Sequence, residues 1–285
     1  MGPRRELVSV SAETHRYVSG YWSISGNQKR SGEHYNALLP RSLDLIRGQS
    51  LVFFTSGEAV SEWVSDLCAA RSIQLQLKER QIEQLPAWRM AEHLVECCRR
   101  MQLDAWSRPD RFDGEKGMIH YWRDLKGSGA ETFHRMHAIW LSKTDLAAEC
   151  AQEATEDRLV WIDATVSRFN SRRSNWRFWL TANRVGRLSH YGSQMRRLGR
   201  QLPLNASYLS APRTLWPQVR DLFTAVAEAA YAMPYGNDAE TLFSECVQRH
   251  PEWFHCIGMP YSRLKGRSAL KARFQDGWSG VLNSR

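Results

Sequence analysis

The sequence predicts an α/β fold with a mostly parallel sheet, because strands and helices alternate in the N-terminal part of the chain. Strands are expected at Arg16–Ile24, Ser50–Thr55 and Ile73–Leu77, which are runs of β-branched, aromatic and aliphatic residues. Helices with one apolar face are expected between them, at His34–Arg47 and Glu62–Arg71. A strand, a crossover helix and a second strand form a unit with parallel strands, so this order favours a parallel sheet flanked by helices.

The rest of the chain continues with helices and fewer strands. The segment from about Gln102 to Ala130 is rich in Gly, Asp and Arg and is expected to be irregular. The other expected elements are helices at Pro86–Met101, Glu131–Ala154, Thr214–Met233 and Asp238–Arg249, a strand at Leu159–Ile162, a strand and turn at Leu202–Ala211, and an aromatic segment at Trp253–Gly258.

Length and composition are those of a globular protein. The chain has 285 residues, of which 42% are hydrophobic and 24% charged, and we expect one elaborated domain from residue 16 to residue 285 after a short N-terminal extension. No apolar run is long enough to span a membrane, and no secretory signal is recognised, so a cytoplasmic location is expected, either in the cytoplasm itself or at the inner membrane surface. The six cysteines form no CxxC pair, which favours reduced thiols in the core over zinc ligands or disulfides.

Positive charge is concentrated in one part of the chain. The formal net charge is +9, and the 57 residues from Ala164 to Arg220 contain eleven arginines and no acidic residue. Such a stretch with aromatic side chains indicates a surface for phosphates or other polyanions, although a general preference for arginine in the genome would also produce it. The candidate acceptor-binding residues are Arg168, Arg172, Arg173, Trp176, Arg177 and Trp179.

Three short segments contain candidate site residues. Asp163 follows the apolar strand Leu159–Ile162, and with the Thr165 hydroxyl it has the oxygen ligands that a divalent cation on a diphosphate prefers; an Asp at a strand end also forms turns and caps. Asp238 and Glu240 open a predicted helix, where they would act either as helix-capping acids or as a carboxylate for the acceptor or the donor sugar.

His255 is the third candidate. It is either a packed core histidine or a nitrogen ligand to a manganese-like ion, with Arg263 and Lys265 following it near a diphosphate. The motifs of the nucleophile-elbow hydrolases, the P-loop NTPases, the dinucleotide-binding fold and the HExxH zinc proteases are absent from the sequence.

Several segments, taken in order, resemble the WlaTC/HtrL-type bacterial glycosyltransferases. The resemblance covers roughly residues 16 to 258 and includes a helix with Ile139, Trp140 and Lys143. Its other segments are GYWSISGNQKRSGEHYNALLP, SLVFFTS, VWIDATVSRF, NASYLSAPRTLW and GNDAETLFSECVQRHPEWF. Each motif is loose by itself, and their common order makes the resemblance more specific.

The resemblance implies a GT-A fold, a nucleotide-sugar donor and a divalent cation, Mn²⁺ or Mg²⁺. Carried over by position, it makes Asp163 the main metal-binding acid, with Thr165 and His255 beside the metal and diphosphate. It places Asp238 and Glu240 at the catalytic or donor-sugar position. The implied donor-binding residues are Tyr21, Trp22, Thr55, Lys143, Asn205 and Lys265.

The sequence departs from the family pattern at two places. Thr165 stands where an Asp-x-Asp motif has its second acid, which weakens the case for a metal, and Ser207, Ser210 and Ala211 replace glycines of a turn near the acceptor. The predicted function is sugar transfer to an anionic acceptor, either a lipid-linked or phosphorylated cell-envelope saccharide or the modified bases of DNA or RNA. The alternative is a non-catalytic nucleic-acid-binding protein on a degenerate GT-A scaffold.

Overall fold

The computed structural model describes residues 13–27, 32–100, 128–169, 186–193, 195–197, 200–230 and 238–258. Its strands are β1 (His15–Tyr21), β2 (Ser50–Thr55), β3 (Gln74–Glu79), β4 (Arg158–Ile162), β5 (Leu188–Tyr191), β6 (Arg196–Arg197), β7 (Arg200–Gln201), β8 (Asn205–Pro212) and β9 (Phe254–Gly258). Its α-helices are α1 (Gly32–Asp44), α2 (Glu58–Ala69), α3 (Trp88–Arg100), α4 (Ala130–Leu141), α5 (Lys143–Glu153), α6 (Trp216–Ala229) and α7 (Ala239–Arg249). None of these helices combines the length and apolar character needed to cross a membrane.

Seven of these strands form one mixed sheet in the order β3-β2-β1-β4-β8-β5-β9. Parallel pairs join β1 to β2 and β4, β2 to β3, and β5 to β9. Only β8 runs in the opposite direction within this sheet, and it pairs antiparallel with β4 and β5. The predicted α/β class, with a mixed and mostly parallel sheet flanked by helices, is therefore confirmed.

Alternate residues of the central strands supply two hydrophobic cores, one on each face of the sheet. Val18, Val52 and Trp161 pack on one face with residues of α3, α4, α5, α6 and α7. Tyr17 and Val160 pack on the other face with residues of α1 and α2. Because both faces are covered, the central strands are nearly continuous apolar runs, as expected of buried parallel strands.

The cysteines contribute to these cores. Cys68, Cys97, Cys150 and Cys246 are buried thiols, whereas Cys256 on β9 is exposed. The prediction of core thiols therefore holds for four of the five cysteines whose side chains are described.

One helix prediction is wrong in a way that affects the site. Instead of a single helix at Glu131–Ala154, the chain forms α4 and α5, separated at Ser142. The Ser142 hydroxyl donates to the carbonyl of Ala138 at 2.7 Å and accepts the backbone N–H of Ala87 at 3.1 Å. Such side-chain bonds to the helix backbone bend or interrupt helices, and here Lys143 becomes the first residue of the new helix.

Two other elements were not predicted from the sequence. The short strand β5 and the two-stranded β6–β7 hairpin lie within the arginine-rich stretch. β5 has only four residues, all of them buried, and too few positions are available for an alternating pattern to stand out.

Candidate functional site

One edge of the main sheet collects the polar residues that were predicted as site residues. β1, β2, β4, β5 and β9 run in the same direction, so their carboxyl ends share this edge, and β8 begins there because it runs in reverse. Tyr21 and Thr55 end their strands at this edge, Asp163 follows β4, and Asn205 begins β8. Open α/β sheets bind ligands at the carboxyl ends of their parallel strands.

Asp163 lies between two cationic side chains. Its Oδ1 atom accepts from the Lys143 ammonium at 2.7 Å and from the Trp161 indole N–H at 3.1 Å. Its Oδ2 atom accepts from the Arg168 guanidinium at 3.3 Å. The backbone N–H of Asp163 donates to the carbonyl of Ser207 at 2.9 Å, which fixes the residue against β8.

Burial and neighbouring charges shift the pKa values of Asp163 and Lys143 in opposite directions. Burial alone would raise the pKa of Asp163, but the Lys143 and Arg168 charges outweigh it and hold this pKa well below its ordinary value. Burial lowers the pKa of Lys143, and the neighbouring Asp163 carboxylate opposes that shift. Asp163 is therefore an ionised carboxylate at neutral pH.

Arg168 was predicted to contact the acceptor, but its guanidinium is turned toward the residues around Asp163. One terminal nitrogen donates to the carbonyl of Thr165 at 3.0 Å and to the Thr165 hydroxyl. The other terminal nitrogen donates to the Ser207 hydroxyl, and the guanidinium lies 4.3 Å from the centroid of the Phe169 ring. The remaining predicted acceptor residues, Arg172, Arg173, Trp176, Arg177 and Trp179, lie outside the described residues, as does Lys265.

The three predicted metal ligands, Asp163, Thr165 and His255, do not form one site. Thr165 is buried and its hydroxyl accepts from Arg168. His255 is on β9, three strands from β4 in the sheet order, which at a strand spacing of about 4.8 Å is roughly 14 Å away. Within the described residues no group of three His, Cys, Asp or Glu side chains could hold a metal ion. The predicted ligand set therefore does not fit a divalent cation.

Asp238 and Glu240 have different environments although they are close in sequence. Asp238 is buried and caps α7: its Oδ1 atom accepts from the backbone N–H groups of Glu240 at 3.1 Å and Thr241 at 3.4 Å, and its Oδ2 atom accepts from the Thr241 hydroxyl. Both carboxylate oxygens thus hold the helix start, as in the capping alternative. Of the two predicted catalytic acids, Glu240 is the one whose carboxylate is not used in this cap.

The Glu240 carboxylate is held by a serine that sequence reasoning missed. Ser193, buried just after β5, donates its hydroxyl proton to Glu240 Oε2 at 2.7 Å. The same hydroxyl accepts the backbone N–H of Met195 at 3.1 Å, and the Ser193 carbonyl accepts from the Gln201 side chain at 2.7 Å. Burial lowers the pKa of Lys143, and the Glu240 charge, like that of Asp163, opposes this shift, so Glu240 belongs to the same region as Asp163.

Comparison with known proteins gives only distant structural matches. No family model and no curated protein matches the chain. Among solved structures, the apo form of the glycosyltransferase GlyE from Streptococcus pneumoniae TIGR4 matches with 10% identity and a TM-score of 0.38, over 86% of this chain and 45% of that one. A structure described as a transferase matches with 13% identity and a TM-score of 0.38, over 84% of this chain and 86% of that one.

This chain therefore spans less than half the length of the GlyE chain that it matches. Matches at this level establish neither a family nor an activity. The resemblance to the WlaTC/HtrL-type family stays a prediction.

Residues at the ends of β1 and β2 form hydrogen bonds and ring contacts with neighbouring protein groups. The Thr55 hydroxyl donates to the carbonyl of Tyr21 at 2.8 Å, and the Trp22 indole donates to the carbonyl of Arg80 at 2.8 Å. The Trp22 ring folds over Gly20, where an added Cβ would come within 2.7 Å of a ring carbon. Tyr21 stacks on Tyr35 with a centroid distance of 4.4 Å. These contacts position the strand ends, and donor binding by Tyr21, Trp22 and Thr55 stays a prediction.

Asn205 shapes the start of β8 beside Arg168. Its side-chain oxygen accepts the backbone N–H of Ser207 at 2.9 Å, so the amide turns back on its own strand. This turn fixes Ser207, whose carbonyl and hydroxyl contact Asp163 and Arg168. Asn205 therefore contributes to the site by positioning Ser207, and its predicted donor contact stays a prediction.

His190 on β5 should make the protein less stable in mild acid. Burial lowers its pKa to about 4, whereas an exposed histidine has a pKa near 6.5. Between these values the unfolded chain binds a proton that the folded chain does not, so this contribution to stability is present above about pH 6.5 and is lost as the pH falls toward 4. We expect the free energy of unfolding of His190→Gln, relative to that of the natural protein, to increase by about 3 kcal/mol as the pH falls from about 7 to about 4.

Urea unfolding of both proteins across this pH range measures that difference. Burial also raises the pKa of Asp145, to about 6, and this residue gives the opposite pH dependence. Asp145 is present in both proteins, so its contribution cancels when the two curves are subtracted. Parallel curves with a constant separation would show that His190 does not titrate as proposed.

Proposed function

We propose that this protein is a glycosyltransferase that moves a sugar from a nucleotide-sugar donor to an anionic acceptor. The observation that carries the proposal is the polar site at the carboxyl edge of the sheet, where ionised Asp163 lies between Lys143 and Arg168 and Glu240 is nearby. The mixed, mostly parallel sheet flanked by helices supports it as well, since this is the architecture expected of a GT-A domain.

The proposed reaction needs positive charge at the leaving group. When the bond between the sugar and the diphosphate breaks, the nucleoside diphosphate leaves with negative charge on its phosphate oxygens. Preorganised cations close to those oxygens stabilise the transition state because they require no reorganisation during the reaction. Lys143 and Arg168 are held in place by hydrogen bonds to protein oxygens, as this role requires.

Glu240 is the proposed carboxylate for the transferred sugar or the acceptor. It is only partly buried, and the bond from Ser193 fixes one of its oxygens. A carboxylate in that position accepts a proton from the attacking acceptor hydroxyl or a hydrogen bond from a hydroxyl of the donor sugar. Both roles are compatible with a location in the same region as Lys143 and Asp163.

An anionic acceptor is favoured by the β6–β7 hairpin. Arg196 and Arg200 on this hairpin are exposed, and Gln201 ties it to Ser193, the partner of Glu240. Arginines on this hairpin therefore lie close in the fold to the proposed catalytic acid and suit phosphate or carboxylate groups. The acceptors that fit are a lipid-linked or phosphorylated cell-envelope saccharide, which we favour, or modified bases of a nucleic acid.

A thermal-shift screen tests the proposal. The purified protein is heated with UDP-, GDP-, dTDP- and CMP-linked sugars, with the free sugars and nucleosides as controls. We expect one nucleotide class to stabilise the protein, by about 2.7 kcal/mol at a ligand concentration one hundred times the Kd. If no nucleotide-sugar has an effect but short DNA or RNA binds with a steep salt dependence, the nucleic-acid-binding alternative is supported instead.

A further inference from the structure

We infer that the Lys143–Arg168 cation pair takes the place of a divalent metal ion at this site, so that donor diphosphate binds without a metal. This inference rests on the proposed function and concerns the source of the positive charge. Both cations contact the same carboxylate, that of Asp163, at the sheet edge where the metal-binding acid was expected.

The first argument is the set of oxygens around the pair. Magnesium and manganese bind carboxylate, carbonyl and hydroxyl oxygens. Here Lys143 donates to Asp163 Oδ1 and to the carbonyl of Ala206 at 2.9 Å. Arg168 donates to Asp163 Oδ2, to both oxygens of Thr165 and to the Ser207 hydroxyl. The oxygens that a metal would need are therefore directed at N–H donors.

The second argument is charge repulsion. A divalent ion bound to either oxygen of Asp163 would lie within a few ångströms of an ammonium or a guanidinium, and like charges at that separation repel strongly in a partly buried site. A second carboxylate would reduce this repulsion, but Thr165 occupies the position where the Asp-x-Asp pattern has its second acid. The site already has two positive charges and does not need a third cationic centre.

The two cations differ in what they offer a diphosphate. The Lys143 side chain is 7% exposed and the Arg168 side chain 14% exposed. Lys143 lies deeper and is fixed by Asp163 and Ala206, so it contributes charge through a medium of low dielectric constant. Arg168 is the more accessible of the two. Its guanidinium stays charged and suits phosphate oxygens, and a diphosphate oxygen would replace one of the protein oxygens that its terminal nitrogens now contact. Arg168 is thus the residue expected to contact the diphosphate.

Calorimetric titration with UDP, GDP and dTDP tests the inference, each in excess EDTA and in Mn²⁺, with the matching monophosphates for comparison. We expect one diphosphate to bind with a Kd that differs by less than about threefold between the two conditions. Arg168→Gln should weaken that binding at least tenfold in EDTA. The matched control is Arg47→Gln, which removes an exposed arginine that pairs with Asp44 outside the arginine-rich stretch and should leave the Kd unchanged.

Asp163→Asn provides a second test of the metal-free site if Arg168→Gln does not fold. Asparagine keeps an oxygen for Lys143 and leaves both cations in place, so we expect diphosphate binding in EDTA to be retained or strengthened. Loss of binding in Asp163→Asn, or binding of the natural protein only in Mn²⁺, would overturn the metal-free site while leaving the transferase proposal standing. If no nucleoside diphosphate and no nucleotide-sugar binds under either condition, both proposals fail.

Discussion

Glu240→Gln is expected to lower the rate of sugar transfer by about 10²- to 10⁴-fold, the usual contribution of a positioned acid or base. Glutamine has nearly the same shape and can still accept the Ser193 hydroxyl, but it cannot take a proton from an acceptor. The rate is measured as turnover, or as hydrolysis in the absence of acceptor, with the nucleotide-sugar that stabilises the protein in the thermal-shift screen. Donor Kd should change little, because the loss is in the chemical step.

Glu245→Gln is the matched control for this substitution. Glu245 is on the same helix and pairs with Arg249 on the helix surface at 2.9 Å, so its replacement should leave the rate within about twofold. Ser193→Ala should give an intermediate loss, because the Glu240 carboxylate stays but one of its oxygens is no longer held. If Glu240→Gln retains a rate within threefold of the natural protein, Glu240 is not the catalytic base.

Local sequence patterns predicted the elements whose own residues have a clear hydrophobic pattern. The strand Ser50–Thr55 was predicted with its observed bounds, since an unbroken apolar run buried on both faces has few alternatives. The break at Ser142 was not predicted because the Ser142 hydroxyl, besides bonding to Ala138 in its own helix, contacts Ala87, a residue far away in the sequence. Tertiary contacts of this kind override helix propensity, and no window of neighbouring residues contains them.

The candidate site was also predicted only in part, because some of its contacts join residues that are distant in the sequence. Asp163 was recognised because it follows a buried strand, and the carboxyl end of that strand is a ligand-binding edge. Its partner Lys143 is twenty residues earlier and meets it only through the path of α5 into β4. One sequence signal did point to an altered site: Thr165 replaces the second acid of the expected metal motif.

The sequence did not show which of the two carboxylates near the start of α7 caps the helix and which is available for catalysis. Asp238 and Glu240 both fit the first turn of a helix, where acids cap the backbone and interact favourably with the helix dipole. Only the side-chain directions separate them, since Asp238 bonds to its own helix and Glu240 bonds to Ser193, which follows β5. Side-chain direction depends on rotamers and neighbours, which residue spacing does not contain.

The Lys143–Asp163 ion pair should contribute strongly to folding, and a double-mutant cycle measures this. Lys143→Met leaves Asp163 ionised with fewer partners, and Asp163→Asn leaves a buried ammonium without its counter-ion, so each should lower the free energy of unfolding by about 3 kcal/mol. The double variant should lose at least about 1 kcal/mol less than the sum of the two, because neither charge is then left alone.

Urea unfolding at about pH 7, where Asp163 is ionised, gives the four free energies of unfolding, those of the natural protein, the two single variants and the double variant. Lys78→Met is the matched control: Lys78 pairs with Glu149 and with Glu153, whose side chain is 50% exposed, and ion pairs near the solvent contribute about 1 kcal/mol or less. Strict additivity of the two site substitutions would contradict the pair. A large coupling energy supports a site whose positive charge is built into the fold.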